Sequence, residues 1–205
     1  VPASPAVLAF TRFPPANVTA GATITPTVQV TVRDQFGNRV TYATNLITLS
    51  VLQAGRGILS NNTATASAGL ATFSTLSIDK ATTTGLGQTP LLTLDSLIAS
   101  APALVFDTST GFAVNPAAVS AGASSVTTAQ ATDSACSAAC TTGGATASSI
   151  TVTARDQFSN VIQNATVVMS APGSSNNTFT VPANTNASGV STSTFSSTKA
   201  ETKNI

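Results

Sequence analysis

A strand-and-turn block occurs twice in this chain. Residues 30–38 read Val-Thr-Val-Arg-Asp-Gln-Phe-Gly-Asn, and residues 152–160 read Val-Thr-Ala-Arg-Asp-Gln-Phe-Ser-Asn. Apolar and polar residues alternate up to the Arg; Asp, Gly or Ser, and Asn then break the run. A period of two followed by turn formers predicts a strand that ends in a tight turn. Its return means that one structural unit is used twice, as in a modular array rather than a single catalytic body. In 205 residues each unit has about 100, enough to bury its own core.

The rest of the first unit extends the pattern. Val28, Val30 and Val32 alternate with Gln29, Thr31 and Arg33; Ile47, Leu49 and Val51 alternate with Thr48 and Ser50. Ala71 to Phe73 follow the Gly69 turn, and Leu76 and Ile78 continue. Leu92 and Leu94 mark a further strand, and Leu104 to Phe106 end the unit. Short strands with turn signals every ten or so residues predict an antiparallel sandwich. The core face predicted for unit one is Val28, Val30, Val32, Ile47, Leu49 and Phe73. Domain boundaries are expected at 1–109 and 110–205.

Unit two repeats the order. Phe112 to Val114 open it, and residues 126–131 and 149–154 form the arms of a hairpin inserted over about 125–149. Ile150, Val152, Val167, Met169 and Phe195 are its predicted core face, with Phe179 and Val181 in a further strand. Lys199-Ala200 matches Lys80-Ala81, but unit one carries further strands beyond this point and unit two ends at Ile205. The second sandwich is therefore expected to lack its last strand or strands. An unfinished sheet exposes backbone donors and acceptors along an open edge. The expected filler is a following segment or a neighbour's Val1 to Phe10. A start at Val1, without Met or a signal-like segment, reads as a processed or truncated chain.

Cys136 and Cys140 are the only cysteines and sit in a Ser/Ala/Gly-rich stretch. A metal site would need two more ligands, and the chain has no His and no other Cys. A redox pair usually has two intervening residues at a helix start, and here there are three. The pair reads as a local disulfide pinning a hairpin tip, worth about 2 kcal/mol in a chain-entropy view. A disulfide places the chain in an oxidising, extracytoplasmic compartment.

Composition narrows the function. Charged residues make up 7% of the chain and the net charge is +1, so no basic face for nucleic acid is expected. Hydrophobic residues make up 42%, too many for a disordered chain, and no apolar run reaches the length of a membrane span. The chain has no His to act as a base near neutral pH, no Gly-x-Ser-x-Gly elbow, and no spaced carboxylate pair. No catalytic residue, cofactor or metal is expected. Asp34 and Asp156 are the carboxylates that calcium would use here, but calcium wants six to eight oxygens and each block offers one Asp. An Asx-type turn accounts for Asp34 with Asn38, and for Asp156 with Asn160. Phe36 and Phe158 are then expected to plug the core end. Asn17, Asn61, Asn164, Asn176 and Asn186 stand in Asn-x-Ser/Thr sequons, whose use depends on the host.

Assembled, these blocks resemble bacterial immunoglobulin-like repeats of the invasin and intimin type. The second unit carries the closer match, through Ser149 to Phe158, Asn164 to Val167 and Ala187 to Thr192. The first resembles a related surface-protein repeat through Leu8 to Phe10, Pro26 to Val32 and Gly69 to Ser74. The cysteine hairpin is an insertion relative to that pattern, and Ser159 replaces the usual turn Gly. The resemblance implies an all-β chain of two tandem immunoglobulin-like antiparallel β-sandwiches, extracellular or on a bacterial cell surface. It implies a non-enzymatic structural module of a stalk, adhesin or fibre, partnered by copies of itself or by neighbouring immunoglobulin-like domains. Polymerisation by strand complementation would follow from an open second sheet. The alternatives are a module that binds a carbohydrate or a host protein, or accessory domains of a larger secreted enzyme. Binding sites favour aromatic anchors, and the chain has no Trp and a single Tyr, Tyr42.

Overall fold

The computed structural model describes residues 2–53, 57–83, 94–129, 147–172, 176–199 and 205. The fold is all-β, and no helix occurs among the described residues, so none there is long and apolar enough to cross a membrane. The chain divides into two compact units, Val1–Ala117 and Ala118–Ile205.

Unit 1 is a sandwich of two main sheets. One sheet has the order β1-β3-β7, from Val7–Arg12, Val28–Arg33 and Leu70–Phe73. The other has the order β10-β9-β4-β6, from Asp107–Thr108, Leu97–Ser100, Leu46–Val51 and Thr63–Thr65. Both are antiparallel, with Val30 opposite Phe10 and Ala71, and Leu49 opposite Ala99. Two short pairs complete the unit. One joins β5 (Leu59–Ser60) to β8 (Ser77–Ile78), antiparallel. The other joins β2 (Asn17–Thr19) to β11 (Ala113–Asn115), parallel.

Alternation decides which residues meet inside. Val28, Val30, Val32, Ile47, Leu49 and Phe73 are all fully or almost fully buried, as the period of two predicts. Leu97 and Ala99, on β9 beside β4 in the same sheet as Ile47 and Leu49, are also buried. The unit's end differs from expectation. Val105 and Phe106 are exposed, and the strand work falls to Leu97–Ser100 and Asp107–Thr108. Phe112 and Val114 were expected to open unit two. Instead they are fully buried in unit 1, and β11 lies beside β2.

Unit 2 holds one four-stranded antiparallel sheet, β12-β13-β15-β14, from Ser125–Thr128, Ser148–Thr153, Val190–Ser197 and Asn177–Phe179. Strands β12 and β13 pair from Ser125 opposite Thr153 to Thr128 opposite Ile150, so the two arms of the expected hairpin are joined. Cys136 and Cys140 lie outside the described residues. Ile150, Ala154 and Phe195 are buried, and Phe179 packs on Phe195 with ring centroids 5.0 Å apart. The remaining buried positions of β15 are serines. Ser191 and Ser193 donate to the carbonyls of Ala183 and Thr180, each at 2.6 Å, which satisfies hydroxyls that would otherwise be costly to bury. Val152, Val167 and Met169, expected in the core, are only partly buried, and Val181 is 94% exposed.

Candidate functional site

The repeated block builds the same turn in both units. Asp34 Oδ1 accepts the backbone N–H groups of Phe36 and Asn38 at 3.0 and 2.9 Å. Its Oδ2 accepts Asn38 Nδ2 at 3.2 Å and the N–H of Ala3 at 3.0 Å. Asp156 does the same, accepting Phe158 N and Asn160 N at 2.9 Å each and Asn160 Nδ2 at 2.8 Å. The backbone closes each turn, with Asp34 N–H donating to Asn38 O and Asp156 N–H to Asn160 O. These are the Asx-type turns read from the sequence. The chain reverses through a left-handed residue, Gly37 at φ 85° and Ser159 at φ 63°.

Burial pushes the Asp34 carboxyl up, but the hydrogen bonds from Ala3, Asn38 and Phe36 outweigh it and hold the group below its ordinary value. Both carboxylates accept donors of their own turns, Asp34 accepting Ala3 N–H as well, and no cluster of three or more His, Cys, Asp or Glu that could hold a metal occurs among the described residues. The Phe of the block behaves differently from expectation. Phe36 is 73% exposed, and Phe158 is only partly buried. The buried member is the Asp, because its oxygens must meet the inward N–H groups of the turn; the turn then carries the Phe away from the core.

The second feature is a groove of about 320 Å³ in unit 2. One wall is Val126 of β12, Val152 of β13 and Ala154; the other is residues 165–170, with Val119, Ser124 and Ile205 also lining it. Among the described residues, no charged side chain lines the groove. Its origin is legible by comparing the units. In unit 1 the Ala66 N–H donates to Asn45 O at 2.9 Å; in unit 2 the Thr185 N–H donates to Ala165 O at 3.0 Å. Asn45 and Ala165 are thus equivalent, which sets Val167 in the place of Ile47 and Met169 in the place of Leu49. Ile47 and Leu49 are fully buried because β4 pairs with β6 on one side and β9 on the other. Among the described residues, nothing pairs with 166–170, and no counterpart of β9 or β10 is present in unit 2. Side chains there still alternate, with Thr166, Val168 and Ser170 exposed and Val167 and Met169 half-buried.

The sequence signal for this segment was the alternation of apolar and polar residues at 165–171. Two fillers were expected, a following segment or a neighbour's Val1 to Phe10, and the residues of the second are engaged within their own unit. Residues Val7–Arg12 pair with β3 of their own unit, and Leu8 and Phe10 are buried in its core.

No protein-family model and no curated protein matches the chain. Among solved structures, it is similar to FdeC, an Escherichia coli adhesin, at 17% identity with a TM-score of 0.43, over 93% of this chain and 54% of that one. It is also similar to invasin, a bacterial integrin-binding protein, at 16% identity and a TM-score of 0.39, over 94% of this chain and 34% of that one. A Parabacteroides merdae β-glucuronidase matches at 17% identity and a TM-score of 0.33, over 52% of this chain and 12% of the enzyme. The chain thus spans only part of each of these proteins. Overlaps of this quality carry no argument about activity or ligand, and the assignment of the fold rests on the strand pairing itself.

Proposed function

We propose that this chain is a non-enzymatic, extracellular structural module of a bacterial surface stalk, adhesin or fibre. The observation that carries the reading is the shared turn. The one acidic residue of the repeated block, Asp34 in unit 1 and Asp156 in unit 2, is spent on holding its own backbone. What has been duplicated is a device for closing a sandwich, not a pair of chemical groups. The near-neutral, Ser- and Thr-rich composition suits a spacer that adheres to little. Its partners in this reading are other immunoglobulin-like units joined in series, with strand addition at the open edge of unit 2 linking one to the next.

Antibody labelling of intact cells, with electron microscopy of the native material, tests the reading. Label at the cell surface on extended structures is the expected result. Protein confined to the cell interior overturns it.

A further inference from the structure

We propose that Asn186 is an acceptor for N-linked sugar, taking a glycosyl group from a donor activated by phosphate at its anomeric carbon. This goes beyond the reading of the chain as a structural module and does not depend on it.

The structure separates this sequon from the others. Asn186, Ala187 and Ser188 are all exposed, in the turn that leads into β15. Asn186 Oδ1 accepts the backbone N–H groups of Ser188 and Val190 at 2.9 and 3.0 Å, which fixes the side chain in an Asx turn. Its Nδ2 and the Ser188 hydroxyl make no hydrogen bond to a described residue. The carboxamide is thus anchored through oxygen and open at nitrogen, the atom that takes the sugar in an Asn-x-Ser/Thr sequon on a surface loop. The turn alone does not call for Asn. Its bonds use Oδ1, and Asp serves that role at Asp34 and Asp156; Asn adds a donor that the turn leaves unused. The other sequons are less open. Asn61 Nδ2 donates to Thr75 O at 3.0 Å. Asn17 lies on β2, where Val18 is buried and the backbone is held beside β11. Ala165 and Asn177, the middle residues of two more, are half-buried. Unit 1 shows the same turn covered. There it runs from Ser67 to Gly69, and Arg39 Nε donates to Ala68 O at 2.8 Å. Arg33 bridges Arg39 as Arg155 bridges Val161, so Val161, whose side chain has nothing to donate, stands in the place of Arg39. In the transfer, Nδ2 attacks the anomeric carbon of the donor. The N–C bond forms as the C–O bond to phosphate breaks, the phosphate leaves with the electron pair, and a proton from Nδ2 passes to a base of the transferase.

The test is peptide mass spectrometry of the native protein, isolated from its own cells, with fragmentation that keeps sugars on their side chains. Asn186 should carry the mass of one or more sugar residues, at an occupancy at least tenfold above that of Asn17 or Asn61. Ser188→Ala should cut that occupancy at least tenfold. This change removes only a hydroxyl and leaves both hydrogen bonds to Asn186 Oδ1 in place. Ser188→Thr should keep the sugar. The donor is read by incubating the unmodified chain with the soluble or the membrane fraction of the same cells. Transfer by the first assigns a nucleotide-linked sugar, transfer by the second a lipid-linked one, and transfer by neither overturns the proposal. A bare Asn186 in the native protein also overturns it, as does sugar on Ser188 in place of Asn186, equal occupancy at Asn61, or unchanged occupancy in Ser188→Ala. Modification and surface location are read separately, so a sugar on Asn186 in a protein confined to the cell interior sinks only the surface reading.

Discussion

Asn160 is bound to Asp156 twice, through its backbone N–H to Oδ1 at 2.9 Å and through Nδ2 to Oδ2 at 2.8 Å. Both residues are buried, so neither group has water to fall back on. The pair closes the turn that joins β13 to the chain leading toward 165–171.

Asp156→Ala should therefore destabilise unit 2 by about 2–3 kcal/mol, the scale of losing charge-assisted hydrogen bonds and orphaning buried N–H groups. Asp156→Asn keeps one acceptor oxygen and should lose less. Denaturant unfolding followed by a probe in unit 2 measures both; equal effects would contradict the role of the second oxygen.

Ser159 occupies a left-handed conformation at φ 63°, where its counterpart is Gly37 at φ 85°. Ser159→Gly should raise the stability of unit 2 by about 0.5–1 kcal/mol, because removing Cβ relieves the left-handed cost by more than it adds to unfolded-state freedom. Gly37→Ser should lower the stability of unit 1. Thermal melts of the pair of variants should move in opposite directions.

Val30 and Val152 hold the same place in the repeat but not the same surroundings. Val30 is fully buried between β1 and β7, whereas Val152 lines the open groove. Val30→Ala should cost about 2–3 kcal/mol through lost burial and a residual cavity, and Val152→Ala under about 1. Equal losses would mean that the groove is closed in solution.

Acid should weaken unit 1 through Asp34. Its folded pKa lies below the ordinary value of 3.8, so the ionised form favours the folded state. That contribution is fully present above pH 3.8 and is lost as the pH falls through the lower folded value. Asp34→Asn should flatten the acid limb of a stability–pH curve for unit 1; an unchanged limb would show that Asp34 does not drive it.

Much of this fold was readable from the chain. Val28, Val30, Val32, Ile47, Leu49 and Phe73 were placed inside by alternation alone, and all are buried. Asp34 and Asp156 were placed in Asx turns by residue type, since few other side chains can hold a turn from within. Alternation gives a face but not a partner, and that is where the reading failed. Val167 and Met169 alternate as well as Ile47 and Leu49 do, but their burial depends on strands far away in sequence. Phe36 was misplaced for the same reason: hydrophobicity says that a ring gains from burial, and only the turn geometry says where it points. Nothing local marks the parallel partnership of Ala113–Asn115 with residues as distant as Asn17–Thr19.

The parallel union of β11 with β2 ties Ala113–Asn115 to Asn17–Thr19, and Phe112 and Val114 are fully buried. The two units then start in the same way: the Ala6 N–H donates to Arg33 O and the Ser120 N–H to Arg155 O, so the second copy begins after the strand that seals the first. A duplication or transplant cut at residue 109 would take one unit without that strand. Lengthening such an array cleanly therefore means copying through Asn115.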